Sequence, residues 1–330
     1  MKSLRAALVG FGSMGKNHAR ILNNLDGVKL VGICDPVVNE DVNFDRQYFH
    51  EEISQVMSLD LDYCVISTPT TTHYKIAQEF LKNGVPVLIE KPVTENHALS
   101  LELLNLSELT KRIVGVGHIE RFNSALIELK KRIDSNQIGE IYQISTRRMG
   151  PFPSRISDVG VIKDLATHDL DLTAWLFGSD YDRIFAEAMR LGKNPHEDLV
   201  SVTGKLSNGV IVNHLVNWIS PTKERSVVVT GEKGSFYANT LTGELTLFSA
   251  GTVGVTRPEL AHFVGTEQGE VHTYAFEKPE PLLVEHIAFR DAIQGKDSNY
   301  ATLASAVKTM AVAEAVLVSS RDSKTVKILY

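Results

Sequence analysis

Leu4-Arg5-Ala6-Ala7-Leu8-Val9-Gly10-Phe11-Gly12-Ser13-Met14-Gly15 is the stretch that decides the fold class. Leu4 to Val9 is a short apolar run of strand type, and Lys16 to Asn24 has helical character. G-x-G-x-x-G between a strand and a helix is the fingerprint of a dinucleotide-binding Rossmann unit, and each glycine has its own task. Gly10 permits the tight turn, Gly12 lets a pyrophosphate approach the backbone, and Gly15 lets the helix pack on the strand. The helix N-terminus supplies N–H groups and a partial positive charge for phosphates, so Phe11, Ser13 and Met14 belong to the same cradle. The second strand, Val28 to Cys34, ends in Asp35, where the fingerprint places an acid. Asp35 is expected to accept from a ribose 2′-OH and to repel a 2′-phosphate, and no arginine follows at once to receive one. NAD is therefore favoured over NADP; a flavin or another nucleotide on the same fold is the competing reading.

The alternation continues through Tyr63–Ser67 (strand), Thr68-Pro69-Thr70 (loop), His73–Asn83 (helix, closed by Gly84) and Val87–Ile89 (strand). Ligands on such sheets bind at the C-terminal ends of the strands, which puts Thr68, Pro69, Thr70, His73, Glu90 and Lys91 on the cofactor side. His73 reads equally well as a helix-start histidine without chemistry. Glu90-Lys91-Pro92 is a charged pair at the end of a buried strand, which is costly unless used. A lysine ammonium beside a nicotinamide stabilises a developing alkoxide or shuttles a proton. Pro92 confines Lys91 to an extended backbone.

Val159 to Leu172 reads V-G-V-I-K-D-L-A-T-H-D-L-D-L and predicts a helix running to Phe177, with Gly178 as its stop. Asp164 and His168 are then one turn apart on one face, where a carboxylate fixes an imidazole tautomer for acid–base work. A helix-start carboxylate and a bystander histidine share the same spacing, and spacing alone does not choose.

A length of 330 residues implies two domains, placed at 1–120 and 121–330. A net charge of -6 argues against a general nucleic-acid or membrane-surface binder. Cys34 and Cys64 fall in or beside buried strands without a C-x-x-C partner, which reads as reduced thiols in a cytoplasmic protein. The apolar start of the chain is too short for a signal peptide, and Ala301–Val318, with Lys308 and Glu314, reads as a core helix. His196, His214, His262, His272 and His286 lack metal-ligand spacing, so no metal is expected.

Ile113–Gly117 is read as the last strand of the nucleotide domain, followed by Arg121, Asn123 and a helix over Ser124–Asp134. Arg121 has a competing reading as a helix-start salt bridge. Ile141–Met149 is a strand carrying Arg147 and Arg148, and Arg155 follows in a Pro-rich loop. These arginines flank the predicted site, and arginine forks suit diphosphate oxygens. Beyond Ser179 the chain turns mainly β, with runs at 183–189, 198–205, 210–218, 226–230, 235–239 and 244–248. A long loop over 250–280, helices over 281–294 and 301–319 and a last strand over 325–329 complete the reading. The fold class is α/β: a Rossmann domain, then an α+β domain with a large open, mainly antiparallel sheet.

The ordered set of G-x-G-x-x-G, an Asp ending the second strand, Thr-Pro-Thr, Glu-Lys-Pro and Asp-x-x-x-His resembles the glucose–fructose oxidoreductase and inositol dehydrogenase (Gfo/Idh/MocA) family. The resemblance implies a catalytic trio of Lys91, Asp164 and His168, and a cis Lys91-Pro92 bond. It also implies substrate contacts from Arg121 and Asn123, and a homodimer or homotetramer built through the open sheet. G-H-I-E-R-F-N, R-R-M-G-P-F-P-S-R-I-S-D-V-G and D-L-A-T-H-D-L-D resemble its nucleotide-sugar members, the UDP-N-acetylglucosamine 3-dehydrogenases. The implied reaction is NAD-dependent oxidation of a sugar hydroxyl, with C3 of UDP-N-acetylglucosamine first. Inositol or free-sugar oxidation, and glycoside cleavage through transient C3 oxidation, are the alternatives.

Overall fold

Six parallel strands make the sheet of the first unit: β1 (Leu4–Val9), β2 (Val28–Cys34), β3 (Phe49–His50), β4 (Tyr63–Ile66), β5 (Val87–Ile89) and β6 (Val114–Val116), in the order β3-β2-β1-β4-β5-β6. The computed structural model describes residues 3–37, 44–152, 159–191, 195–251 and 269–330. The strands are continuous apolar runs because both sheet faces are covered. Side-chain alternation sorts them: Ala7, Val9, Cys64 and Ile66 enter one core cluster, while Ala6, Leu8, Tyr63 and Val65 enter the other. Ile76, Ala77, Phe80 and Leu81 of the helix Thr70–Lys82 cover the first face, and Ala19 and Leu22 of the helix Ser13–Asn24 cover the second. The strand order reverses between β1 and β4, and both strands end there, at Gly10 and at Ser67-Thr68. Such a switch point is where ligands bind in an open α/β sheet.

Three details depart from the sequence reading. The helix expected over His73–Asn83 opens at Thr70, so Thr70 lies in its first turn. A helix over His97–Thr110, which the sequence reading passes over, is announced by Asn96, whose side chain accepts from the Leu99 N–H at 2.9 Å. The first unit runs to Phe122, not 120, and also takes in Pro279–Ala311, so the later part of the chain is not one continuous domain. The helix Leu303–Asp322 is long and apolar enough to cross a membrane, but 61% of that window is buried within the protein, and its first half joins the core of the first unit.

The second unit, Asn123–Lys278 and Val312–Tyr330, carries nine strands among the described residues. These are β7 (Ile141–Met149), β8 (Tyr181–Met189), β9 (Leu199–Leu206), β10 (Ile211–Asn217), β11 (Glu224–Gly231), β12 (Gly234–Asn239), β13 (Glu244–Ser249), β14 (Val271–Thr273) and β15 (Val326–Lys327). Their order is β14-β13-β12-β11-β7-β10-β9-β8-β15, antiparallel throughout except for the parallel β10–β7 pair. The expected loop over 250–280 thus supplies an edge strand, β14; 252–268 lie outside the described residues. One sheet face carries the buried Ile144, Val212, Val229 and Phe236. By register, the other carries Gln143, Ile211, Tyr237 and Phe248.

Candidate active site

The glycine loop is built as its spacing predicts, each glycine for a separate reason. Gly10 has φ +94°, and a Cβ there would run into the Ser67 carbonyl. A Cβ on Gly15 would run into the Gly10 carbonyl. Among the described residues a Cβ on Gly12 would meet nothing, which leaves space in front of it for a ligand. Among the described residues no side chain caps the helix that starts at Ser13, so its first-turn N–H groups are left to a ligand. Ser13 is exposed and Met14 half-buried. Phe11 contributes only its backbone to the cradle: its ring is buried edge-on against Phe44 and Phe49. Its N–H donates to Asp35 Oδ2 at 2.6 Å, and the Val37 N–H donates to Asp35 Oδ1 at 2.8 Å. An ionised carboxylate has about four acceptor sites, so Asp35 retains capacity for a ribose diol. Uncapped N–H groups, open space at Gly12 and an acid at the second strand end fit a dinucleotide.

At the ends of β4 and β5 the polar residues are tied to one another. His73 is buried, with Nε2 2.8 Å from the Thr68 carbonyl and Nδ1 3.0 Å from the Pro92 carbonyl. Burial pushes its pKa down, against the pull of those carbonyls. His73 therefore joins the Thr68 loop to the residue after Lys91. Thr72 Oγ1 donates to Thr68 Oγ1 at 2.7 Å, while Pro69 is exposed and Thr70 buried. The Lys91-Pro92 peptide is cis, as the resemblance implies. The Lys91 N–H donates to Glu90 Oε2 at 3.1 Å, and the other Glu90 oxygen lies 2.9 Å from His18 Nε2. Burial works to raise the Glu90 pKa, but the hydrogen bond from His18 and the charge of Lys91 bring it below the usual carboxylate value.

In the second unit the predicted helix is not uniform. Ile162–Ala166 forms a π-helical turn, and the α-helix proper covers Thr167–Phe177, with Gly178 at φ +54°. A π turn inserts extra chain into the helix, so Asp164 and His168 are not stacked as in a plain α-helix; such turns concentrate at functional sites. Asp164 is buried and His168 half-buried. Glu197, unremarked in the sequence, anchors the start of this segment. Its carbonyl accepts from the Val161 N–H, and its Oε1 accepts from the Ile162 N–H, both at 3.0 Å.

The predicted arginines part company. Arg148 is buried and paired with Asp169 of the Thr167–Phe177 helix at 2.8 Å. Arg147, one residue earlier, lies on the opposite sheet face by the strand pleat and pairs with Glu224 at 2.8 Å. The structure therefore does not bring these two forks together. Arg155 lies outside the described residues. Arg121, in the first unit, donates to Ser305 Oγ at 3.0 Å. Asn123, in the second, caps the helix Ser124–Asp134 through the Ala125 N–H at 3.1 Å and donates to the Thr240 carbonyl at 3.0 Å.

Comparison with known proteins agrees with both units. A family model described as "Oxidoreductase family, NAD-binding Rossmann fold" matches residues 4–118, and one described as "GFO/IDH/MocA C-terminal domain" matches 126–237. Inositol 2-dehydrogenase 4 of Saccharopolyspora erythraea is 28% identical over 64% of this chain and 66% of its own length. UDP-N-acetylglucosamine 3-dehydrogenase of Acidithiobacillus ferrooxidans is 27% identical over 64% of this chain and 66% of its own length. The chain thus aligns with slightly less than two thirds of each. The solved structure of the latter enzyme superposes with a TM-score of 0.82 at 22% identity, covering 98% of this chain and 99% of that one, a likeness of fold.

Proposed function

The chain belongs to the GFO/IDH/MocA oxidoreductase family and carries its NAD-binding Rossmann fold; from that premise we propose that it is an NAD-dependent dehydrogenase of a ring secondary hydroxyl. The observation that supports this reading most is the uncapped helix N-terminus behind open space at Gly12, with Asp35 beside it. NAD, when bound, accepts the hydride. The chain's own residues handle the proton: Lys91 or His168 takes it from the hydroxyl, Asp164 orients His168, and Lys91 hydrogen-bonds the reacting oxygen.

C3 of UDP-N-acetylglucosamine is the proposed substrate position, from the motif resemblance and from one of the two named relatives. An inositol is the second reading, favoured by the ion pairs that already engage Arg147 and Arg148 and by the other relative. We assign the chain to the cytoplasm on its two buried free thiols. We assign it a homo-oligomeric state in which a second copy covers the sheet face bearing Ile211, Tyr237 and Phe248, each at least 37% exposed.

The test is NADH formation by the purified full chain on UDP-N-acetylglucosamine, UDP-N-acetylgalactosamine, free N-acetylglucosamine and myo-inositol. Turnover with UDP-sugars alone supports the first reading, and turnover with inositol alone supports the second. Silence across the panel overturns the dehydrogenase reading and favours glycoside cleavage with retained NAD.

A further inference from the structure

The first unit groups four ionisable side chains that the proposed chemistry does not use: Glu90, next to Lys91 and partly buried, and the buried His18, Glu285 and His286. His18, from the helix Ser13–Asn24, has Nε2 2.9 Å from Glu90 Oε1. Its Nδ1 lies 2.8 Å from Nε2 of His286, on the helix Pro281–Ile293. Both rings are 1% exposed. Glu285 precedes His286, is 2% exposed, and finds no hydrogen-bond partner for either carboxylate oxygen among the described residues. Gly117 leaves room for this arrangement, since a Cβ there would press on Glu90 Cδ at 3.2 Å.

The hydrogen bonds run in one direction. A carboxylate only accepts, so Nε2 of His18 carries a proton toward Glu90. Nδ1 of the neutral ring is then an acceptor, filled by the Nε2–H of His286. This leaves His286 with a bare Nδ1, a smaller cost than an orphaned buried N–H. Burial pushes His286 down and Glu285 up, so in both it favours the neutral form, while Glu90 is held below the usual carboxylate value. Glu90 in turn holds the Lys91 N–H.

We propose that His18, backed by His286, is a positioning residue for Lys91: it holds the Glu90 carboxylate in place as counter-charge and backbone anchor for that lysine. This rests on the proposed role of Lys91 in the reaction. The contacts join residues 268 apart in the chain, so the returning segment Pro279–Ala311 takes part in the device.

The test compares His18→Ala, His18→Gln, Glu90→Gln and the double variant His18→Ala/Glu90→Gln in the full chain. The substrate is whichever one the wild type oxidises, with NAD affinity followed by NADH fluorescence. His18→Ala and Glu90→Gln should each lower kcat about ten- to a hundredfold, the worth of one hydrogen bond to a charged group. NAD affinity should change less than about twofold in His18→Ala, and the double variant should be no slower than Glu90→Gln, because His18 works through Glu90. His18→Gln, whose amide still donates to Glu90, should recover most of the rate. Additive losses, an unchanged kcat in His18→Ala, or His18→Gln as slow as His18→Ala would overturn the proposal. A wild type without turnover overturns the parent reading instead. Nitrogen-15 spectra of the histidine rings then decide the device alone: His18 protonated at Nε2, with that signal shifted in Glu90→Gln, supports it, and a His18 protonated only at Nδ1 overturns it.

Discussion

The loop after β1 and the middle strand β7 both carry residues singled out by type, yet they behave differently. In the loop, Gly10, Gly12 and Gly15 act through what they lack, and the backbone around them forms the ligand cradle. Sequence spacing then maps onto geometry directly, because a strand, a turn and a helix in succession leave one arrangement. On β7, Arg147 and Arg148 are adjacent in sequence and opposite in space, one half-exposed beside Glu224 and the other buried with Asp169. Where a side chain's direction decides its role, residue type is not enough; the pleat and the neighbouring helix are also needed.

That contrast can be broken or sharpened by substitution, beginning with the largest expected effect. His168→Ala and Lys91→Ala should each lower kcat about 10²- to 10⁴-fold while NAD still binds. Near-wild-type turnover in either variant removes that residue from the mechanism. Arg148→Ala leaves Asp169 as a buried unpaired charge and should cost about 3–5 kcal/mol of stability, read as a fall in urea midpoint. Arg147→Ala, at an exposed pair, should stay within about 1 kcal/mol of wild type. Equal losses at the two positions would contradict the division of the two arginines. Gly12→Ala should weaken NAD binding about tenfold or more with little change in stability, because its Cβ meets no atom of the described residues. Gly15→Ala should cost about 1–3 kcal/mol of stability, because its Cβ meets the Gly10 carbonyl.

A smaller effect is shared by both units. His214 sits in the second sheet between Thr146 Oγ1 at 2.8 Å and Tyr181 OH at 3.0 Å, and burial pushes its pKa down to about 4. The unfolded chain, with a histidine near 6.5, binds the proton first as pH falls. Stability is therefore full above about pH 6.5 and lost on acidification toward about 4. His73 and His286 act in the same direction in the first unit. Urea midpoints measured against pH should fall over this window, and His214→Gln should flatten part of the slope.

Much of the fold is legible because its signals are local. Val28–Cys34 with Asp35, and Leu4–Val9 with its glycines, need no distant partner to be read. The start of the helix His97–Thr110 is equally local, marked by the Asn96 side chain that caps it. Other features are not local. The π turn at Ile162–Ala166 has no compositional mark, and Glu197, which anchors it, lies 35 residues away from Ile162. His18 carried one faint signal, three residues past Gly15 and so on the same helix face. Its partner His286 carried none, because the contact forms only when Pro279–Ala311 returns to the first unit.

The most direct measurement follows a label through the oxidation itself. The full chain is incubated with NAD and with UDP-N-acetylglucosamine deuterated at C3, or with myo-inositol deuterated at its ring carbons, and the NADH is analysed by mass spectrometry. The proposed dehydrogenase reading predicts deuterium on the nicotinamide, and its loss with His168→Ala. NADH carrying no label from either substrate, or no NADH from a protein that binds NAD, would contradict the account.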